Sequence, residues 1–480
     1  MAVKTLSADS QSDKYAQAYH YIADRIDRGE WGAHDKLPSV RILAQELGMH
    51  RLTVFRAYQM LKQNGIVYVK EKSGYYVSPS AKQGADPFET QANRPVPSSN
   101  RLSNSMASIQ QKTADYQLSQ ALIDPNLLPN AYLSEYVKRV FDLYPKMIGT
   151  YSTPQGDQEL RESLCTHISR QFGIPVTAEA MTITTGAQQA IDLLARIFVR
   201  PLDAVLIERP TYSAAIDIFR QHGARFLPVE IGPDGYDLER VQELMERCRP
   251  KLFYLNPTFH NPTGFTVPAA NRKRLVELAE RYRCLLIEDD VFHDMYFGQP
   301  PPPPLYAYDT EGWVVYLRSF SKYVAPGLRI CGVIGSKAVT EQLAIAKALA
   351  DNGTPLVNQK LFLHYFQSER MIQHIEKLRT ALQLRRDVME AELAGTGWQW
   401  SSPNGGLNLW IRLPDSLDGS RLLEESLRQS VSFVPGEICD PLGQMKSFIR
   451  LSFSYMNEIH IKEGIRRLRE AASKGMDSDR

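Results

Sequence analysis

Cysteine is scarce in this sequence, with five residues in a chain of 480, and none of the five forms a CxxC pair. Their scattered positions exclude a disulfide framework and a cysteine-based zinc site, so we expect no metal. Long apolar runs are also missing, because no stretch approaches the roughly 18–20 residues that a membrane-spanning helix needs. The N-terminus lacks the apolar core of a signal peptide, and we expect a cytoplasmic protein.

A large excess of charge of one sign is absent as well, since 56 basic residues face 54 acidic ones. Hydrophobic residues make up 43% of the chain, which is ordinary for globular proteins. A chain of 480 residues exceeds the size of a single hydrophobic core, so at least two domains are expected. Residues 80–115 are rich in Ser, Gln, Asn and Pro and predict a flexible linker between domains at 12–79 and 116–476.

The N-terminal segment has the pattern of a small helical domain with a two-stranded wing. Apolar residues at 15–26 recur at helical spacing and predict a first helix. Two further helices are predicted at 39–47 and 50–64, each ended by a glycine. Alternating stretches at 66–70 and 75–77 flank a glycine-containing turn and predict two short strands. Helix, helix-turn-helix and wing is an arrangement that docks on DNA.

Positive charge is concentrated in this segment, where residues 36–72 contain seven basic residues and two acids. The basic residues are Lys36, Arg41, Arg51, Arg56, Lys62, Lys70 and Lys72. Such a surplus attracts phosphates, and Arg51 and Thr53 stand at the helix end that would enter a major groove. Three short helices with surface arginines also occur in proteins that bind no nucleic acid, so charge and pattern alone leave that alternative open.

Residues 37–77 resemble the winged helix of GntR-type regulators almost position by position. The resemblance implies that these residues lie at the DNA, with the last at the wing tip: Ser39, Arg41, His50, Arg51, Thr53, Arg56 and Gly74. The family commonly has serine where this chain has His50, which leaves the base preference open.

A lysine follows a predicted buried strand in the larger segment. The apolar run at 313–317 predicts the strand, and Ser319, Ser321 and Lys322 come directly after it, with Arg329 close behind. Partial burial and a neighbouring cation lower the pKa of a lysine, and its neutral amine can condense with an aldehyde. A lone lysine on a loop is usually a solvated charge, so the interpretation depends on the motifs around it.

Four further motifs follow predicted strands in the same segment. A glycine turn at Gly186 opens a helix and offers a seat for a phosphate. Tyr212 could stack on a planar ring, and Asn261 lies on a loop after a strand. Asp289 follows a strand at 284–287 and could pair with a pyridine nitrogen. Each motif alone has an ordinary structural explanation, but no such explanation covers all of them in this order.

From Tyr151 to the C-terminus the chain resembles fold-type I aminotransferases, which use pyridoxal 5'-phosphate. The resemblance implies that Lys322 forms the Schiff base, Asp289 pairs with the ring nitrogen, Tyr212 stacks on the ring and Asn261 bonds the ring hydroxyl. It assigns the phosphate to Gly186, Ala187, Gln188, Ser319, Ser321 and Arg329.

Two further roles follow from the same resemblance. Tyr151 would reach the phosphate of a neighbouring subunit, which implies a homodimer. Arg450, in the predicted strand 448–453, would clamp the carboxylate of an amino-acid-like effector. Val291 and Phe292 stand where the related enzymes usually carry a tyrosine, so we expect cofactor binding to persist better than efficient turnover.

Winged helix, linker and aminotransferase-like domain is the order of the MocR-type subfamily of GntR regulators. We therefore expect a winged helix-turn-helix (α+β) domain followed by an α/β fold-type I domain with a mainly parallel sheet. A small C-terminal α/β subdomain is expected from about residue 359. The predicted function is a regulator that binds an operator and senses pyridoxal phosphate, an amino-acid-like effector, or both. The alternatives are an aminotransferase with an accessory DNA-binding domain and a sensor of the cofactor alone.

Overall fold

The computed structural model describes residues 9–70, 73–78, 106, 109, 111–320 and 322–477. The chain divides into two compact units, residues 1–102 and 103–480, which we call the head and the body. Of the residues predicted to have a role, Ser321 and Lys72 lie outside the described residues, as does most of the predicted linker.

The head is a three-helix unit with a two-stranded wing, as predicted. Its elements are α1 (Asp9–Asp27), α2 (Val40–Glu46), α3 (Arg51–Gln63), β1 (Val67–Lys70) and β2 (Gly74–Val77). Its core is formed by apolar residues of all three helices and the wing, among them Ile22, Leu43, Val54 and Leu61. In the antiparallel wing Lys70 pairs with Gly74, so Gly74 begins the second strand directly after the tip.

An eight-stranded sheet forms the centre of the body. Its strands are β4 (Met181–Thr185), β5 (Ala204–Arg209), β6 (Arg225–Gly232), β7 (Gly235–Tyr236), β8 (Leu252–Leu255), β9 (Leu285–Asp290), β10 (Val314–Ser319) and β11 (Ile330–Ile334). They lie in the order β4-β11-β10-β9-β8-β5-β6-β7. All are parallel except β7 and β11. The central strands are buried on both faces, which explains why they are nearly continuous apolar runs in the sequence.

Helices surround this sheet. They are α4 (Asn130–Leu143), α5 (Gln158–Phe172), α6 (Ala187–Phe198), α7 (Ser213–Gln221), α8 (Leu238–Cys248), α9 (Ala269–Tyr282), α10 (Lys337–Ala350), α11 (Leu356–Phe366), α12 (Glu369–Leu393), α13 (Gly419–Arg428) and α14 (Glu458–Asp477). Short 3-10 turns occupy Pro125–Leu127, Met147–Gly149, Ala178–Ala180, Leu305–Tyr308, Pro326–Leu328 and Gly436–Cys439. Within the described ranges, no helix has the length and apolar character needed to cross a bilayer.

Two small sheets complete the body. Their strands are β3 (Tyr116–Gln117), β12 (Gln399–Trp400), β13 (Asn408–Arg412), β14 (Val431–Ser432), β15 (Val434–Pro435) and β16 (Phe448–Ser452). One sheet has the order β12-β13-β16-β15, and the other pairs β14 with β3. The segment that begins at Tyr116 therefore joins the C-terminal part of the body, a contact that the sequence patterns did not indicate.

Candidate cofactor site and DNA-binding surface

Five parallel strands end at one edge of the large sheet, and each brings a predicted residue there. These are Gly186 after β4, Tyr212 after β5, Asn261 after β8, Asp289 in β9 and Lys322 after β10. A cavity of about 200 Å³ opens at this edge. Nine predicted residues line it: Ala187, Gln188, Tyr212, Asn261, Asp289, Ser319, Lys322, Arg329 and Arg450. The carboxyl ends of strands in an open α/β sheet are where such proteins bind ligands.

Lys322 lies in the turn after β10 and faces this cavity. Burial lowers its pKa to about 8, and the nearby cations Arg329 and Arg450 act in the same direction, while Asp289 opposes them. A lysine with this pKa carries an appreciable neutral fraction near neutral pH, which is the form that attacks a carbonyl carbon.

Gly186 and Arg329 form a cradle for an anion at the start of α6. Gly186 has a φ of 81°, and a Cβ there would lie 2.5 Å from Nη2 of Arg329. The Arg329 Nη2 donates to the carbonyl oxygen of Thr185 at 3.4 Å, which holds the guanidinium beside the helix N-terminus. Ala187 and Gln188 begin this helix, and the first backbone N–H groups of a helix have no intrahelical acceptor. With the positive end of the helix dipole they complete a phosphate seat.

Asp289 is buried, with one oxygen satisfied and the other open. Its Oδ2 accepts a hydrogen bond from the Tyr254 hydroxyl at 2.7 Å, whereas Oδ1 has no partner among the described residues. Burial raises the pKa of Asp289 to about 7, against the effect of the Tyr254 hydrogen bond. An orphaned carboxylate oxygen in a cavity is suited to accept from a protonated ring nitrogen.

Asn261 has its side-chain amide oriented by two donors. Its Oδ1 accepts from Nη1 of Arg450 at 3.2 Å and from Nδ2 of Asn408 at 3.4 Å. The amide nitrogen of Asn261 is therefore left as the donor toward the cavity that this residue lines.

Arg450 is a buried cation on β16, with 3% of its surface exposed. Its Nη2 donates to the carbonyl oxygen of Ser119 at 2.6 Å, and its Nε has no partner in the described part of the chain. Both of its described hydrogen-bond partners, the amide oxygen of Asn261 and the carbonyl oxygen of Ser119, are neutral, and burial lowers its pKa. A buried guanidinium without a counter-ion is costly, so the cavity favours an anionic ligand.

The chain matches two family models. The model for aminotransferase class I and II matches residues 126–468, and that for the bacterial regulatory proteins of the gntR family matches residues 14–77. YisV of Bacillus subtilis, described as an uncharacterized HTH-type transcriptional regulator, is 30% identical, and the match covers 98% of each chain. The chain belongs to the MocR-type subfamily of GntR regulators. The predicted family and fold class are confirmed.

The body of this MocR-type chain is also similar to enzymes. Aromatic-amino-acid aminotransferase 1 of Thermococcus litoralis is 33% identical over 75% of this chain and 88% of its own length. A solved structure of the alpha-aminoadipate aminotransferase LysN from Thermus thermophilus, complexed with N-(5'-phosphopyridoxyl)-L-leucine, matches with a TM-score of 0.73 at 31% identity. That match covers 79% of this chain and 97% of LysN.

The aminotransferase family implies pyridoxal phosphate as the cofactor of this MocR-type protein. The cavity fits that group on two independent observations. A Cβ at Gly186 would fill the anion cradle, and the open Oδ1 of Asp289 lies in the same cavity as Lys322. Val291 and Phe292 also line the cavity, and neither supplies the hydroxyl that a tyrosine would offer there.

Several residues that build the site were not predicted. Asn256 accepts from the backbone N–H of Asn261 at 2.8 Å and donates to the backbone oxygen of Asp289, so it ties two cofactor loops together. Tyr254 supports Asp289, and residues 119–122 line the cavity beside Arg450. The sequence offered one signal for this support, which is Tyr254 inside a buried strand. A buried hydroxyl requires a hydrogen-bond partner.

The surface of the head carries the predicted DNA-contacting residues. Arg41, Arg51 and Arg56 are exposed. Ser39 and His50 cap helices: Ser39 Oγ accepts from the N–H of Ile42 and His50 Nδ1 from that of Leu52, each at 3.3 Å. The sequence did not predict that His50 would cap α3. The cap uses Nδ1 of the ring and does not involve Nε2.

Tyr151 lies apart from the cavity of its own chain. It does not line the cavity, and 86% of its surface is exposed. Its predicted contact with a neighbouring subunit stays a prediction.

Replacing Gly186 by alanine should weaken binding of pyridoxal phosphate by about tenfold or more, because the added methyl group would displace Arg329. Equilibrium dialysis of the cofactor against apoprotein measures the change. Gly173→Ala is the matched control, since Gly173 also has a positive φ of 70° but nothing lies within 4 Å of its Cβ position. That variant should lose stability and keep its affinity, and equal weakening in both variants would contradict the cradle.

Covalent attachment of pyridoxal phosphate should follow the ionisation of Lys322. The lowered pKa means that the reactive neutral amine increases as pH rises through about 8, so the initial rate of attachment should have its midpoint there. Borohydride trapping followed by mass spectrometry measures the rate. Lys322→Ala should abolish attachment, whereas Lys337→Ala, at an exposed lysine, should not. A midpoint above pH 10 would indicate an ordinary solvated lysine.

Proposed function

We propose that this protein is a DNA-binding transcription regulator that depends on pyridoxal phosphate and senses the cofactor, an amino-acid-like effector, or both. The proposal rests on the similarity to YisV, which is named as a transcription regulator. That similarity extends over both the head and the body. A basic winged helix and a cavity suited to the cofactor thus occur in one chain.

We assign the cofactor contacts as follows. Bound pyridoxal phosphate supplies an electrophilic carbon and an electron-accepting ring. The amine of Lys322 would bond to that carbon, Oδ1 of Asp289 would accept a hydrogen bond from the ring nitrogen, and Tyr212 would pack on the ring. The amide nitrogen of Asn261 would donate to the ring oxygen. The phosphate contacts are Gly186, Ala187, Gln188, Ser319, Ser321 and Arg329, with Tyr151 contributed by a second subunit of a homodimer.

Arg450 selects the effector. Among the described residues its Nε has no hydrogen-bond partner, and it lines the same cavity as Lys322. These observations favour a ligand with a carboxylate that binds the guanidinium and an amine that reaches the cofactor. Arginine suits the planar, bidentate geometry of a carboxylate better than lysine does.

The proposal includes the division of the chain and its place in the cell. Residues 12–79 form the DNA-binding domain, 80–115 the linker, and 116–476 the sensing domain, with the small subdomain from about 359. We place the protein in the cytoplasm, where a bacterial regulator meets its operator. The DNA contacts are Ser39, Arg41, His50, Arg51, Thr53, Arg56 and Gly74.

An aminotransferase with an accessory DNA-binding domain is the second candidate. Lys322, Asp289 and Arg450 in one cavity favour it, since they suit an amino donor. Val291 and Phe292 disfavour rapid turnover, because the hydroxyl that would hold the ring oxygen beside Asn261 is missing.

One experiment separates these functions. The purified full chain, loaded with pyridoxal phosphate, is titrated with single amino acids while cofactor absorbance and binding to DNA upstream of its own gene are followed together. A regulator that senses an effector should change its DNA affinity by about fivefold or more with at least one amino acid, and one that senses the cofactor alone should do so between apoprotein and loaded protein. Fast, repeated turnover without any change in DNA binding would refute the regulator.

In protein saturated with pyridoxal phosphate, Arg450→Ala should raise the half-saturating effector concentration by about 30-fold or more. Truncating one partner of a buried charged pair costs about 2–5 kcal/mol, which corresponds to that factor. The spectral titration measures the change. Arg412→Ala, at an exposed arginine on the neighbouring strand β13, is the control and should bind the effector normally. An unchanged titration of Arg450→Ala would remove Arg450 from the effector site.

A further inference from the structure

Two large apolar side chains are exposed on the recognition helix of the head. Leu52 has 57% and Phe55 46% of its surface exposed, and both belong to α3. Residues three apart share one face of a helix. The opposite face is buried in the core through Val54, Ala57 and Tyr58. Leu52 and Phe55 therefore form an apolar patch that the core of the head does not use.

The exposed charges next to this patch on α3 are positive. Arg51 and Arg56 are exposed neighbours of the two apolar residues on α3, and Arg41 is exposed on α2. A second copy of the head offering the same face would bring like charges together, whereas the phosphates of a DNA duplex complement them. Charge thus favours duplex DNA as the occupant of the patch.

We propose that Leu52 and Phe55 recognise thymine through its C5-methyl group in the major groove. The inference rests on the proposed DNA binding and adds a base specificity to it. Among the four base pairs only those with thymine present a methyl group in that groove, and apolar side chains contact it. The arginines beside the patch would contact phosphates and guanine edges, so the preferred operator should hold thymines next to those contacts.

Uracil provides a direct test, because it differs from thymine only by the missing methyl group. The full chain with bound pyridoxal phosphate first selects a 30-base-pair duplex from a random library. Each thymine of that duplex is then replaced singly by uracil, and affinities are measured by fluorescence anisotropy. At one or two positions uracil should weaken binding about fourfold, the worth of one buried methyl group.

The variants locate the contact. Leu52→Ala and Phe55→Ala should each remove the difference between thymine and uracil at one position. Neither residue belongs to the apolar core of the head, so unchanged thermal unfolding is expected. Ile42→Ala is the control, since Ile42 is also an exposed apolar residue, at 59%, but belongs to α2. It should preserve the discrimination against uracil.

The outcomes separate this inference from the proposed function. A library that yields no preferred sequence contradicts DNA recognition itself. A preferred sequence that tolerates uracil everywhere overturns the thymine contact alone, as does discrimination that persists in the double variant of Leu52 and Phe55. A change in the sedimentation of the variants with discrimination intact would make the patch a contact between copies and would also overturn the inference.

Discussion

The parallel strands of the large sheet end at a common edge, where three charged side chains leave bulk water around one cavity. Lys322 and Asp289 come from neighbouring strands, and Arg450 comes from the small sheet. Burial lowers the pKa of Lys322 and Arg450 and raises the pKa of Asp289, so it favours the neutral form of each group. Such an arrangement is unfavourable without partners, so the cavity favours ligands that supply a carbonyl carbon for Lys322, a protonated nitrogen for Asp289 and an anion for Arg450.

Supporting hydrogen bonds hold these groups at the cavity. Tyr254 and Asn256 occupy the end of β8, where they fix Asp289 and the loop of Asn261. Arg450 in turn fixes the amide of Asn261 and contacts the carbonyl oxygen of Ser119. Hydrogen bonds thus connect Asp289, Asn261 and Arg450 around the cavity through Asn256. Tyr254, which does not line the cavity, supports Asp289 from behind.

Further contacts join distant parts of the body. The Ser119 segment pairs with the C-terminal part through β3 and β14, and the bidentate ion pair of Arg209 with Asp440 links β5 to the region before Arg450. A ligand that contacts both Lys322 and Arg450 therefore bridges the large sheet and the small one. In a regulator the effector must bind one conformation of the protein more tightly than another. A ligand that bridges two parts of the body can have such unequal affinities, because its contacts depend on how those parts are arranged.

Local patterns in the sequence determined the elements and the cofactor-bearing motifs. The apolar runs before Gly186, Asn261 and Lys322 correspond to β4, β8 and β10, and the helices of the head follow its periodicity and glycines. Strand β9 runs on to Asp290, three residues beyond the prediction, because its acids are buried within the sheet. Only the tertiary structure decided how the site is supported: Tyr254, Asn256 and Ser119 act through partners that are close in space but distant in the chain. Spacing along a sequence records local geometry, whereas the pairing of buried polar groups depends on which strands become neighbours.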